Sequence, residues 1–188
     1  IYNGYSTHFS PLPEVDMHIV QQYIPEKGFL FFLGNTDPKK NTERVLKAYS
    51  LYLQRSATKR PLLIADLKEE YIDRVLQQEG IADIKRHLYY PGYIPNSHLA
   101  TLYNASFAFL YPSLRESFGI PLLEAMAGSG ALTVDPSKPE EIADRLLQLE
   151  QNPTLYQEQK AYGPQRAQQF SWAQTAGELS KVYQSIKI

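Results

Sequence analysis

The sequence contains no cysteine, which excludes a disulfide scaffold, a thiol nucleophile and a thiolate zinc site. It also lacks a long apolar run: residues 29–33 and 107–111 are the longest, far short of the ~20 residues that span a bilayer. There is no excess of one charge sign. Nineteen Lys and Arg against twenty Asp and Glu leave a net charge of −1, which argues against a coat for nucleic acid or for an acidic membrane. No signal peptide, internal repeat or low-complexity tract is visible. The lack of cysteine fits a reducing compartment. What is present is an ordinary globular composition, 43% hydrophobic over 188 residues, enough for one sizeable domain with its own core.

Short apolar bursts alternate with helical patterns. Phe29-Leu30-Phe31-Phe32-Leu33, closed by Gly34, reads as a buried strand. Residues 62–65 read as a second strand, 87–90 as a weaker third and 107–111 as a fourth. Across residues 41–54, Val45, Ala48, Tyr49 and Tyr52, with Leu46 and Leu53 beside them, share one helical face. Further helices are predicted over 71–79 with Gly80 as its C-terminal cap, and from an Asn96 or Ser97 cap to Asn104. Others follow from Pro121, over 139–151, around 154–162, and from Ser171, whose side chain and Gln174 suit a capping box. This alternation predicts an α/β fold with a parallel sheet sandwiched by helices. Such sheets bind ligands beyond the carboxyl ends of their strands, which directs attention to loops 34–41, 91–96 and 112–121. The acceptor pattern Asn104-Ala105-Ser106 ends a helix that packs, and is read as chance.

Two loops carry chemistry. The first is Gly34-Asn35-Thr36-Asp37-Pro38-Lys39-Lys40-Asn41, where Gly34 allows close backbone approach and two lysines adjoin a helix N-terminus. A diphosphate suits it; a solvated lysine pair beside a turn is the plainer alternative. It matches neither a P-loop nor a G-x-G-x-x-G fingerprint. The second runs from Pro112 to Ala127 and places Glu116 on the loop and Glu124 on the following helix, with seven residues between them. Between the carboxylates, Ser117, Phe118 and Gly119 offer backbone N–H donors near a helix start. Two carboxylates suit sugar hydroxyls, and N–H groups suit an oxyanion. None of His8, His18, His87 and His98 reads as a catalytic base.

The stretch from Pro112 to Ala127 resembles the E-x7-E signature of retaining glycosyltransferases of the GT-B fold, in particular family four (group 1), and their C-terminal donor-binding domain. The likeness extends over nearly the whole chain. Ile1-Tyr2-Asn3-Gly4-Tyr5 through Phe9-Ser10-Pro11 resembles the interdomain linker, and Gly34 to Asn41 the phosphate loop of a P-[RK]-K-N subgroup. Gly92-Tyr93-Ile94-Pro95 resembles the nucleotide-base loop; Val134-Asp135-Pro136, Glu140-Glu141-Ile142-Ala143 and Phe170-Ser171-Trp172 resemble the closing helices.

The resemblance implies a Rossmann-like sheet and a set of roles. Lys40 would contact the donor diphosphate, with Gly34, Asn35 and Lys39 lining the same loop. Asn35 stands where the family often has a second phosphate-binding arginine, so Lys39 or Arg115 would have to supply the second cation. Tyr93 and Ile94 would border the base through their backbones, and Glu124 would bind the ribose hydroxyls. Glu116 would face the transferred sugar and stabilise its oxocarbenium-like centre rather than act as a nucleophile. The amides of Ser117, Phe118 and Gly119, with Ile120 beside them, would hold sugar hydroxyls or phosphate. With no D-x-D for a divalent metal, lysine and helix-terminal N–H groups would stabilise the leaving diphosphate.

The implied function is the donor-binding half of a retaining hexosyltransferase with a lean to mannosyl transfer, inactive by itself, in bacterial surface polysaccharide synthesis. Its ligand would be a GDP- or UDP-sugar, with no cofactor, no metal and no nucleic acid. Residues 1–27 are linker-like, and an acceptor domain for a glycan or lipid-linked acceptor is expected to precede them. After Ala127 the family continues with a further strand and loop, where this sequence passes directly through Gly128-Ser129-Gly130-Ala131 to Leu132; a segment is therefore expected to be missing there. The alternatives are a non-catalytic nucleotide-sugar-binding module and a GT-B sugar epimerase. Location is expected to be cytoplasmic, with peripheral membrane association of the full enzyme arising from the other half.

Overall fold

The structure, a computed structural model, describes residues 2–116, 119–126 and 132–186. Among them, four strands form one parallel sheet: β1 (Leu30–Leu33), β2 (Leu62–Ala65), β3 (Leu88–Gly92) and β4 (Ala108–Leu110), in the order β3-β2-β1-β4. Leu30 is in register with both Leu62 and Ala108, so the central strands end together and their C-terminal loops share one rim.

The period of two along the strands divides the core. Leu30, Phe32, Leu62 and Ile64 face one helical layer, while Phe29, Phe31, Leu63 and Ala65 face the other. The first layer contains α2 (Thr42–Arg55), α3 (Glu69–Glu79) and α6 (Pro139–Gln151); α2 packs against α6, with Val45, Leu46, Ala48, Tyr49, Tyr52 and Leu53 all buried as their spacing predicts. Glu150 of α6 accepts from Tyr52 at 2.5 Å and from Ser56 at 2.9 Å, fastening the C-terminal end of α2. The second layer holds α1 (Met17–Val20), α4 (Asn96–Ala105), α5 (Ile120–Met126) and α7 (Pro153–Ala167). Tyr156 of α7 stacks on Phe107 just before β4, ring centroids 4.7 Å apart. The chain closes with α8 (Trp172–Ser185), whose cap Ser171 accepts from the Gln174 amide, half of the predicted box.

Several boundaries differ from the sequence reading, each for a local reason. Residues 82–87 form a 3-10 turn, so His87 precedes β3, and the strand continues through Pro91 and Gly92. Neither Asn96 nor Ser97 caps α4; Pro95 takes that place and its carbonyl accepts from the His98 amide. The helix around 154–162 extends to Ala167 and includes Pro164. Gly80 caps α3 as predicted.

The first residues pack onto the domain. Phe9, Val20 and Ile24 are buried, and Asn104 explains its own placement: its side chain donates to the Ser10 carbonyl and accepts from the Leu12 amide. Gly4 crosses the start of α8 so closely that a Cβ would lie 2.1 Å from the Trp172 nitrogen. Beside β4, which is a sheet edge among the described residues, lies an apolar cavity of about 290 Å³ lined by Phe109, Leu122, Val134, Ile142 and Leu146 among others. The expected break after Ala127 falls on residues 127–131, outside the described residues.

Candidate active site

The site forms at the shared carboxyl rim of β1 and β4. After β1 the chain passes Gly34, where a Cβ would meet the Phe32 ring at 2.8 Å and Leu67 at 3.0 Å, so internal packing by itself demands glycine there. Asn35 then accepts from the Asp37 amide through its side chain, and its carbonyl accepts from the Thr42 hydroxyl. Residues Pro38–Lys40 make a 3-10 turn capped by Asp37. This turn delivers Lys40 inward and Lys39 outward.

Lys39 pairs with Asp37 at 3.2 Å on an exposed surface. Its hydrogen bonds hold the Asp37 carboxyl below the usual carboxylate range. Lys40 is largely covered, its side chain 16% exposed, and its ammonium lies 2.8 Å from Glu116 Oε1. A hydrogen bond from the Leu114 amide to the Lys39 carbonyl, 2.8 Å, zips the two loops together. Burial pushes the Glu116 carboxyl up, but the bond from Lys40 and the nearby Ser113 and Tyr111 hydroxyls outweigh it, and the group titrates below its ordinary value. Glu116 is therefore a charged acceptor at neutral pH.

Glu124 stands in a different environment. It lies on α5, half-buried, and burial alone raises its carboxyl to about 7. No hydrogen bond or ion pair engages it among the described residues. Gly119 starts that helix with φ +80°, a left-handed conformation that glycine adopts without strain, and its carbonyl accepts from the Leu122 amide. Ile120 is the first residue of α5. Ser117 and Phe118 lie outside the described residues.

On the neighbouring rim, Tyr93 is 76% exposed just beyond β3, while the Ile94 side chain is buried in the core and leaves its backbone at the loop. The histidines lie elsewhere: His98 bonds the Tyr23 hydroxyl and His8 bonds Ser6. Among the described residues there is no group of three His, Cys, Asp or Glu side chains able to hold a metal ion.

Sequence reasoning assigned no role to two residues that the fold puts at the centre. Asn41 is buried in a left-handed conformation, φ 63°, and its amide donates to the carbonyls of Pro112 at 3.0 Å and Pro136 at 2.6 Å. Its oxygen accepts from Arg44. One side chain thus ties the Lys40 turn to the Glu116 loop and to the segment before α6. The signal was its place directly before a helix, where asparagine tolerates positive φ. The second is Tyr111, whose ring centroid lies 5.2 Å from the Lys40 ammonium.

A parallel sheet flanked by helices in this order is the Rossmann-like architecture of the C-terminal domain of a GT-B glycosyltransferase. The family model for glycosyl transferases group 1 matches residues 18–132, and the chain belongs to that family. The chain is 28% identical to O-antigen chain mannosyltransferase B of Escherichia coli, aligned over 91% of this chain and 50% of that protein. It is 30% identical to the serotype-specific mannosyltransferase WbdA of Escherichia coli over 81% of this chain and 21% of that one. The chain thus spans half or less of these relatives. Among solved structures, the C-terminal domain of the group 1 glycosyl transferase LpcC from Francisella tularensis superposes with a TM-score of 0.71 at 19% identity, covering 86% of this chain and 94% of that one. Anabaena Alr3699/HepE, solved in complex with UDP and glucose, gives a TM-score of 0.81 at 15% identity, covering 99% of this chain and 56% of the other.

Proposed function

We propose that this chain is the donor-binding half of a retaining glycosyltransferase that takes a hexosyl group, mannose by preference, from a GDP- or UDP-sugar for bacterial surface polysaccharide. The observation that carries this reading is the 2.8 Å contact of Lys40 with Glu116, made across the β1 and β4 loops, with Glu124 on the following helix unpartnered among the described residues. Lys40 and the first-turn amides of α2 accept the charge that develops on the leaving diphosphate. Glu116, kept ionised, accepts hydroxyls of the transferred sugar and stabilises its cationic centre. Glu124 accepts the ribose hydroxyls, with the backbones of Tyr93 and Ile94 against the base and those of Ser117, Phe118 and Gly119 on sugar or phosphate. The mannosyl preference is supported by the two Escherichia coli relatives, and the diphosphate reading by HepE, whose structure contains UDP.

We also infer that the acceptor is bound by a second domain. The curated relatives, about twice as long or longer, support that division. Membrane contact, where it occurs, would belong to that second domain; among the described residues no helix is long and apolar enough to cross a membrane. Calorimetric titration with UDP, GDP and ADP and their glucose and mannose conjugates tests the donor site directly. Saturable binding of one series is the expected result. If no nucleotide binds at millimolar concentration, the donor assignment fails.

A further inference from the structure

Tyr111 lies beside Lys40, the partner of Glu116, and against Gly119 at the start of α5. It follows β4 directly, its ring stacks on Phe109 at 5.7 Å, and the Lys40 ammonium lies 5.2 Å from its centroid. From the other side Gly119 approaches so closely that a Cβ would sit 3.5 Å from the ring edge and 3.9 Å from the hydroxyl. The hydroxyl is buried and has no hydrogen bond of ordinary geometry among the described residues. Yet Glu116 is close by, since the Lys40 ammonium over the ring is 2.8 Å from Glu116 Oε1, and the Glu116 and Ser113 side chains both act on the ionisation of the hydroxyl. Buried hydroxyls are almost always paired, so an orphan donor beside a carboxylate points to a state in which it is used.

That state follows from the chemistry of Lys40. Its ammonium now compensates Glu116, and a diphosphate, carrying more charge than one carboxylate, would draw it away. Glu116 would then be left partly buried without its cation, and burial would favour the protonated form, which donates where a sugar hydroxyl needs an acceptor. We propose that Tyr111 is a positioning residue for Glu116: when Lys40 turns to the donor diphosphate, the Tyr111 hydroxyl donates to the Glu116 carboxylate in its place. This rests on the assignment of Lys40 to the diphosphate. Among the described residues, the charged and titratable groups acting on Glu116 are Lys40 from the 3-10 turn and Tyr111 from the end of β4, with the Ser113 hydroxyl on its own loop.

The exchange can be tested without nucleotide, because Lys40→Met imitates the departure of the ammonium. The Glu116 carboxyl would be titrated by carbon-13 NMR in the parent chain, Lys40→Met, Tyr111→Phe and the double variant, with Ser113→Ala as comparison. Phenylalanine keeps the stacking on Phe109, and thermal unfolding checks that the fold is retained. Removing the hydroxyl should raise the Glu116 pKa by about one unit more in the Lys40→Met background than in the parent. Equal shifts in both backgrounds, or none, overturn the exchange, as does a coupling that follows Ser113 instead. In parallel, Tyr111→Phe should weaken binding of GDP-mannose or UDP-glucose about tenfold while leaving free GDP or UDP within about twofold. Unchanged nucleotide affinity in Lys40→Met would overturn the diphosphate assignment itself, whatever the titrations give.

Discussion

Lys40, Glu116 and Glu124 are three ionisable groups in three electrostatic environments, and their behaviour differs accordingly. Lys40 is held by one carboxylate at 2.8 Å, with the other ion pair of its turn closed between Lys39 and Asp37. Replacing Lys40 by alanine should therefore weaken nucleoside diphosphate binding by about ten- to a hundredfold, the range of one charge-assisted hydrogen bond; calorimetry reads it. Lys39→Ala, by comparison, should lose much less, since its partner is an exposed aspartate. Glu124 makes a pH prediction. The folded protein keeps its proton up to about pH 7, whereas the unfolded chain releases it near the ordinary value of 4.5. Between those values the folded state binds more protons, so this group lowers stability as pH rises through the window and leaves it level above. Glu124→Gln should raise the melting temperature at pH 8 relative to the parent by more than it does at pH 4. It should also flatten a nucleotide affinity that otherwise grows through pH 7 as the carboxylate forms.

At the scale of elements, the site depends on three loops being held in one register. Asn41 does this with one buried amide, bonded to the carbonyls of Pro112 and Pro136. Asn41→Gly keeps the positive φ but removes those bonds, and should cost about 1–3 kcal/mol in urea unfolding. Asn41→Ala loses the same bonds but, unlike glycine, keeps a Cβ in the left-handed region without the local bonding of asparagine, and should cost about 1 kcal/mol more than the glycine variant. A reversed order would show that backbone conformation is not what selects asparagine here. The strands and long helices were legible because their periods are strong: the buried face of α2 and the buried runs of β1 and β2 agree with the sequence pattern. The ends were not, since cap choice depends on neighbours. Pro95 displaced Asn96 and Ser97 as the cap of α4, and the 3-10 turn over 82–87 shifted the start of β3.

Considered as a whole molecule, the sheet has β3 and β4 as its two edges among the described residues. β3 ends one edge, and β4 borders the apolar cavity of about 290 Å³. The alignment with O-antigen chain mannosyltransferase B runs over 189 positions although only 91% of the 188 residues take part, leaving roughly 18 positions without a residue from this chain. We infer that these include the strand and loop expected after Ala127. Inserting the corresponding segment of that relative between Ala127 and Leu132 should raise the melting temperature by several degrees, since filling an apolar cavity and pairing an edge strand both stabilise. An unchanged or lowered midpoint would show that the sheet does not need it.

The sequence by itself determined the parallel α/β architecture, the layers and the loops that carry Lys40, Glu116 and Glu124, because hydrophobic period and strand–helix alternation are local properties of the chain. Only the tertiary structure decided how those loops meet. Lys40 and Glu116 are 76 residues apart in sequence and 2.8 Å apart in space, and Asn41 and Pro136 are 95 apart and bonded at 2.6 Å. It also decided that Glu116 is held charged while Glu124 keeps its proton to near neutrality, and that Tyr111 lies beside Lys40 with its hydroxyl unpaired among the described residues. Charge state and pairing depend on burial and distance, and no local pattern encodes either.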